Sequence, residues 1–360
     1  MKKTLLKTSL ILALFQLTAC NGERDYEIEN EPYFKYAWHF DSKSNFAQNN
    51  YINEEADINI KEAWKITKGE GVIVAVIDDA FEAGHEDLKE NVIHTYSIDN
   101  KTSDVSKSIY EGALHGSTVA GFIASPANGK GLVGAAPEAK LVLIQQSYTY
   151  DKDTIKAFEY AKNKGAKVIN CSWGTKNVSE SVAYAIAETK KAGITIIFAS
   201  GNEQENLDGL NQYGLPIYDE SELDSVIGVG ASNEYNDIAS YSNYGKHIDL
   251  MATGGDIIGI LGVDDSGENG SRNQKGIVDN KYAFTNGTSF ATPIVSGVVA
   301  LMVSVNPSLT PDQIREILIQ SADKIGDNAN YKNGFDTYRA YGKINASKAV
   351  KLAQDYLSQQ

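Results

Sequence analysis

Along this chain, unbroken runs of apolar and β-branched residues alternate with segments spaced like helices. Val72–Ile77 is one such run and ends at Asp78-Asp79; Lys140–Gln145, 167–171 and Ile194–Ala199 are others. Continuous apolar character marks strands buried on both faces, as in a parallel sheet covered by helices. The spacing of Ile155, Phe158 and Ala161 predicts an amphipathic helix over Asp153–Lys164, stopped by Gly165, and a second helix is expected over 179–191 with Gly193 behind it. A short helix over 58–67 turns Ala63 and Trp64 inward, another opens at His115, and the C-terminal helices are expected at 289–305, 311–321 and 345–357. Ile294–Val303 is apolar on every side, the pattern of a buried helix. Strand–helix alternation of this kind argues an α/β fold of three layers, a mostly parallel doubly wound sheet flanked by helices. Residues 203–224 and 253–282 follow neither period and are read as loops. The second, with Gly254-Gly255 and the polar run Asp264–Gly270, is long enough to expect a functional role beside the residues that follow it.

The N-terminus stands apart. Met1-Lys2-Lys3 is a positive leader, and Ser9–Phe15 is an apolar run too short to span a membrane as a helix. Leu17-Thr18-Ala19-Cys20 resembles a bacterial lipobox, in which cleavage precedes the cysteine and its thiol is acylated. Three divisions follow: a lipoprotein signal peptide over 1–19, an acidic tether and N-terminal arm over 20–57 with Trp38 and Phe40 as packing residues, and one domain over 58–357. Acyl chains anchor at about 0.8 kcal/mol per buried CH₂. The expected location is therefore the cell envelope, on a membrane held through Cys20. Removing the leader takes three lysines and no acids, moving the formal net charge from −14 to −17. Such a balance disfavours nucleic acid as a partner. Cys171 is the other of two cysteines, and one thiol inside an apolar strand gives no disulfide framework. With 42% hydrophobic and 22% charged residues the composition is that of an ordinary globular protein. A domain of about 300 residues buries roughly three-quarters of its unfolded surface.

Four polar residues stand at strand ends or helix starts, where open α/β sheets bind ligands. Asp78 closes the first strand. His115 opens the small-residue helix His115–Gly121. Asn202 follows the strand 194–199, and Ser289 begins the apolar helix. A serine at a helix N-terminus faces free N–H groups and a positive dipole end, so it can attack a carbonyl while backbone donors receive the developing charge. It needs a base, and an imidazole titrating near neutrality suits that work. An aspartate would hold the imidazole tautomer and stabilise the imidazolium. Taken singly, each residue has an ordinary role as helix cap, core histidine or turn former; the four together are candidates for one hydrolytic centre.

The stretches Val76-Ile77-Asp78, His115-Gly116-Ser117, Ser200-Gly201-Asn202 and Gly287-Thr288-Ser289 resemble those of the subtilisin-like serine proteases, the subtilases, in that chain order. Val168–Gly174, Val226–Ala231 and Tyr241–Gly245 are similar as well, and the resemblance runs from about residue 58 to about 355. It implies a serine endopeptidase with Asp78, His115 and Ser289 as triad and an acyl-enzyme intermediate. It implies an oxyanion donor in Asn202, whose counterpart in subtilisin is worth about 10²–10³ in turnover. It further implies a substrate-pairing edge at Ser172, Trp173 and Gly174 with a second near Tyr148–Tyr150, and Ca²⁺ as a structural ion with Asp87 and Asn128 among its ligands. A monomer acting on protein or peptide substrates is expected. Asp79-Ala80 departs from the usual Thr-Gly; the acid pair and His85-Glu86-Asp87-Leu88 resemble the kexin and furin branch, which keeps glycine where Ala80 stands. Asp79 is open to two readings, a solvated second acid or a cleft-facing group favouring basic side chains. Thr118 stands where many relatives carry histidine. The departure at Ala80, with no segment long enough for a folding propeptide, leaves a non-catalytic peptide-binding relative as the rival reading. A serine esterase is disfavoured because no Gly-x-Ser-x-Gly surrounds Ser289.

Overall fold

The computed structural model describes residues 28–107, 115–211, 213–266 and 280–358. The expected signal peptide, Cys20, the start of the tether and residues 267–270 of the polar run lie outside them. Seven strands form one parallel sheet, β1 (Ile73–Asp78), β2 (Val92–Ser97), β3 (Lys140–Gln145), β4 (Val168–Cys171), β5 (Thr195–Ala199), β6 (Ile227–Ser232) and β7 (Leu250–Thr253), in the order β2-β3-β1-β4-β5-β6-β7. The order reverses around β1, with β3 on one side and β4 on the other. That switch point brings the ends of β1 and β4 together.

Successive residues of each strand serve two different cores, which is why the strands are apolar throughout. Val74 and Val76 enter a core shared with α3 (His115–Ala124) and α6 (Thr288–Val305), whereas Ala75 and Ile77 enter one shared with α4 (Asp151–Asn163) and α5 (Glu180–Lys191). Helices on both faces of a parallel sheet are the expected three layers. α6 is apolar and long enough to cross a membrane, but 83% of its apolar window is buried inside the protein, so it is the central core helix. Two shorter helices, α1 (Asn45–Asn49) and α2 (Ile60–Trp64), precede the sheet, and α7 (Pro311–Ser321) and α8 (Ala346–Ser358) close the fold. α7 begins with a capping box between Thr310 and Gln313.

Two readings change. The stretch 253–282 is not structureless: β8 (Ile260–Val263) and β9 (Tyr282–Thr285) pair antiparallel at its ends. Thr118 Oγ1 donates to the Val263 carbonyl at 2.6 Å, tying this pair to α3. The threonine that replaces a familiar histidine thus has a local role. The edge strand β2 was also hidden, because Ile93 and His94 face solvent and the register shifts beside Val92.

The arm packs as part of the domain. Trp38 and Phe40 are fully buried, and Trp38 Nε1 donates to the Gly259 carbonyl at 2.8 Å. His39 lies between the rings of Phe40 and Phe122, fully buried, with no partner for its Nδ1. Burial drives its pKa down to about 3. The folded chain keeps this imidazole neutral while the unfolded chain protonates it below its ordinary 6.5. His39 therefore adds stability that is complete above that value and is lost as pH falls toward 3, at about 1.4 kcal/mol per pH unit. Urea midpoints between pH 6 and pH 4 check this: His39→Leu flattens the slope relative to wild type, and parallel slopes would refute the assignment.

Candidate active site

The carboxylate of Asp78, at the end of β1, is 3% exposed, and its Oδ1 lies 2.8 Å from Nδ1 of His115, the first residue of α3. Facing a carboxylate, Nδ1 carries the proton, which leaves Nε2 as the basic nitrogen. Asp78 Oδ1 also accepts from the Asp79 N–H at 2.9 Å. The ring of His115 packs against that of Phe290, centroids 5.3 Å apart, so it stands beside the residue that follows Ser289.

Asp79 is half-buried, and its Oδ1 accepts from the N–H groups of Gly116 and Ala80 at 3.3 and 2.5 Å. Burial first, and the charge of Asp78 second, push its pKa up to about 7. It braces the turn under His115, an environment unlike that of a solvated acid. Ala80 does not adopt a left-handed backbone, so alanine is unstrained where glycine was expected, and one motive for a non-catalytic reading disappears.

Ser289 is the second residue of α6, half-buried, with its N–H among the helix-start donors and free of any bond among the described residues. Gly287 caps the helix at φ 150°, ψ 156°, a conformation essentially restricted to glycine. Four residues beyond Ser289, Pro293 lacks an N–H and leaves the Ser289 carbonyl without its helical donor. Ser172, just past β4, supplies that donor through Oγ at 2.8 Å, and Ser289 Oγ in turn donates to the Ser172 carbonyl at 3.0 Å. The two serines lock the helix start to the end of β4.

Asn202 is exposed beyond β5. Its Oδ1 accepts two bonds from Thr288, from the backbone N–H at 2.8 Å and from Oγ1 at 3.0 Å. Two donors there require oxygen at that position, so the NH₂ group faces the other way and bonds to nothing among the described residues. Thr288 also accepts from the Gly201 N–H at 3.1 Å. The motif marked this threonine only as a neighbour of Ser289; its work on Asn202 needed the fold to be seen.

The expected substrate edge lies just past β4. Ser172 is buried, Trp173 Nε1 anchors on the Ile77 carbonyl at 2.9 Å, and the N–H groups of Trp173 and Gly174 make no backbone bond among the described residues. Tyr148 and Tyr150 stack in solvent with centroids 5.5 Å apart.

The expected ion ligands Asp87 and Asn128 lie beside one another. Asp87 is fully buried; its Oδ2 accepts from the Leu132 N–H at 2.8 Å and the Tyr282 hydroxyl at 2.9 Å, and its Oδ1 has no partner. Asn128 donates to the Glu86 carbonyl at 3.0 Å, and its Oδ1 accepts from Lys130 N–H at 3.0 Å. Glu31 of the arm joins them, one carboxylate oxygen on the Gly129 N–H at 2.9 Å and the other buried without a partner. Burial pushes both Glu31 and Asp87 up to about 7. Two orphaned carboxylate oxygens fit a hard divalent cation. Glu31 was missed because an acid among many in a polar arm carries no signal.

Fold and site together define a doubly wound α/β protein with an Asp–His pair and a helix-start serine at one switch point. Residues 69–342 match the model of the subtilase family, and the chain belongs to that family. Among its relatives, the calcium-dependent protease of Trichormus variabilis is 30% identical over 93% of this chain and 54% of its own length. Subtilisin DY of Bacillus licheniformis is 32% identical over 74% of this chain and 89% of its own. A protease structure from Pseudoalteromonas arctica superposes with a TM-score of 0.75 at 26% identity, covering 91% of this chain and 100% of that one. The chain spans about half the length of several curated relatives, 43% and 54% in two cases.

Proposed function

We propose that this chain is a serine endopeptidase working through Asp78, His115 and Ser289, held at the cell envelope by a lipidated Cys20. The observation that carries the reading is the 2.8 Å Asp78–His115 bond next to a helix-start serine whose own N–H is free. An extended peptide pairs with the Ser172–Gly174 edge and the Tyr148–Tyr150 stretch. Ser289 turns its proton from the Ser172 carbonyl to His115 Nε2 and attacks the scissile carbonyl carbon. The oxyanion is received by the Ser289 N–H and the Asn202 amide. His115 then gives its proton to the leaving amine, and the acyl-enzyme is hydrolysed by water in the reverse sense. Family membership and the protease relatives support this; the lipobox-like Leu17–Cys20 supports the tether. A fluorophosphonate probe tests it: intact mass after labelling rises by one adduct in wild type and not in Ser289→Ala, with the modified peptide containing Ser289. Equal labelling of both proteins, or of neither, defeats the reading; labelling of neither with retained peptide binding favours the non-catalytic relative.

Calcium is the ion proposed for Glu31, Asp87 and Asn128, supported by the two orphaned oxygens and by the name of the Trichormus variabilis relative. It would neutralise two buried acids and tie the arm to the domain; it enters no chemical step. Calcium at a hundred times its Kd raises stability by about 2.7 kcal/mol. Melting curves with calcium and with chelator should therefore separate by several degrees in wild type and coincide in Asp87→Asn. Coincident wild-type curves would remove calcium from this site.

A further inference from the structure

The loop that carries Asn202 is irregular and has little reason of its own to hold one shape. Gly201 has φ 98° and Gln204 φ 57°, so the chain turns sharply on both sides of Asn202. The side chain of Asn243, fully buried, fills the inside of that turn. Its Oδ1 accepts from the N–H groups of Glu203 at 3.0 Å and Glu205 at 2.8 Å. Its Nδ2 donates to the Ser200 carbonyl at 2.8 Å and to the Glu203 carboxylate at 2.7 Å. All four hydrogen-bonding valences of one amide are therefore spent on residues 200–205. The same Glu203 oxygen accepts from the Asn202 backbone N–H at 3.1 Å and pairs with Lys176 at 3.0 Å. The backbone of Asn243 adds a bond from its N–H to the Gly201 carbonyl at 3.0 Å. A Cβ on Gly201 would come within 2.5 Å of Asn243 Nδ2, so glycine there is needed both for φ and for the close approach of this amide.

We infer that Asn243 is a positioning residue for the oxyanion pocket, a buried template that sets where Asn202 presents its NH₂ group. The inference rests on the proposed role of Asn202 and goes beyond it. Asn243 does not touch the reacting atoms. Thr288 holds the Asn202 side chain from the helix, and Asn243 holds the backbone of the residues on either side of it. Donors aimed at developing charge lose their value when displaced, and a shift of about 1 Å can cost about a hundredfold in rate. Substrate pairing lies on other segments, so the effect belongs in kcat and not in KM.

The test is a double-mutant cycle on a peptide p-nitroanilide with purified protein, melting temperature serving as the check on folding. Asn243→Ala is expected to lower kcat about ten- to a hundredfold with KM within about twofold. Asn243→Asp keeps the shape and the acceptor but faces the Ser200 carbonyl and Glu203 carboxylate with oxygen; it behaves the same way, and it carries the test if the alanine variant does not fold. Asn202→Ala alone lowers kcat about 10²–10³. The Asn202→Ala/Asn243→Ala protein, or its Asn243→Asp counterpart, is expected to be no slower than Asn202→Ala, because a template has nothing left to aim. Losses that multiply overturn the inference, as does a wild-type kcat in the Asn243 variants. An unchanged kcat in Asn202→Ala would instead defeat the oxyanion reading itself, and any loss in the Asn243 variants would then be structural.

Discussion

Ser289→Ala lowers kcat about a millionfold, the order seen when the nucleophile is removed from subtilisin. KM and melting temperature change little. The neighbouring hydroxyl of Ser172 cannot stand in: it is committed to the Ser289 carbonyl, which Pro293 has stripped of its helical donor. The variant loses one hydrogen bond to the Ser172 carbonyl, worth about 1 kcal/mol, so folding survives. Residual turnover of about 10³–10⁴ over water remains, because the Ser289 N–H and the Asn202 amide are still in place. The measurement is hydrolysis of casein and of a peptide p-nitroanilide by wild-type and variant proteins purified side by side. Comparable rates in the two would remove the serine from the chemistry.

The second large effect is that of Asp78→Asn, expected to lower kcat about ten-thousandfold near neutral pH. Shape is retained, so the cause is the lost negative charge, which no longer stabilises the His115 imidazolium. The Asp79 N–H and His115 Nδ1 both meet Oδ1 of residue 78, so the amide keeps oxygen there, and the tautomer with it, and places its NH₂ at the Oδ2 position. Asp79→Asn is the comparison. That carboxylate braces the Gly116 and Ala80 N–H groups, and its removal costs far less rate than the change at Asp78. Equal losses at the two positions would mean that the acid pair acts as a unit and that Asp78 has no separate role.

Much of the fold was legible because burial on two faces writes itself into the chain. β1, β3, β4 and β5 were found as unbroken apolar runs, and α4 and α5 by their spacing, to within two residues at each end. What hid β2, β8 and β9 was their setting. β2 is a half-solvated edge, and the short β8–β9 pair is separated by a long polar insertion, so neither shows a sustained period. The four candidate residues stood out because each adjoins a strand end or helix start with its own local pattern. Glu31, Thr288 in its role on Asn202, and Asn243 were not. Each acts on a partner far away in sequence, and a polar residue carries no mark of what it will bond.

From its order of residues alone, this protein's layers, its core helix and a candidate Asp–His–Ser set with an asparagine were determined, because hydrophobic period and motif spacing are local quantities. The tertiary structure alone decided that Ser172 gives the Ser289 carbonyl the donor Pro293 lacks, that a glutamate of the arm reaches Asp87 and Asn128, and that a buried amide at 243 shapes the loop of Asn202. Those depend on distances through space between segments that only the parallel sheet, reversing at β1, brings into contact.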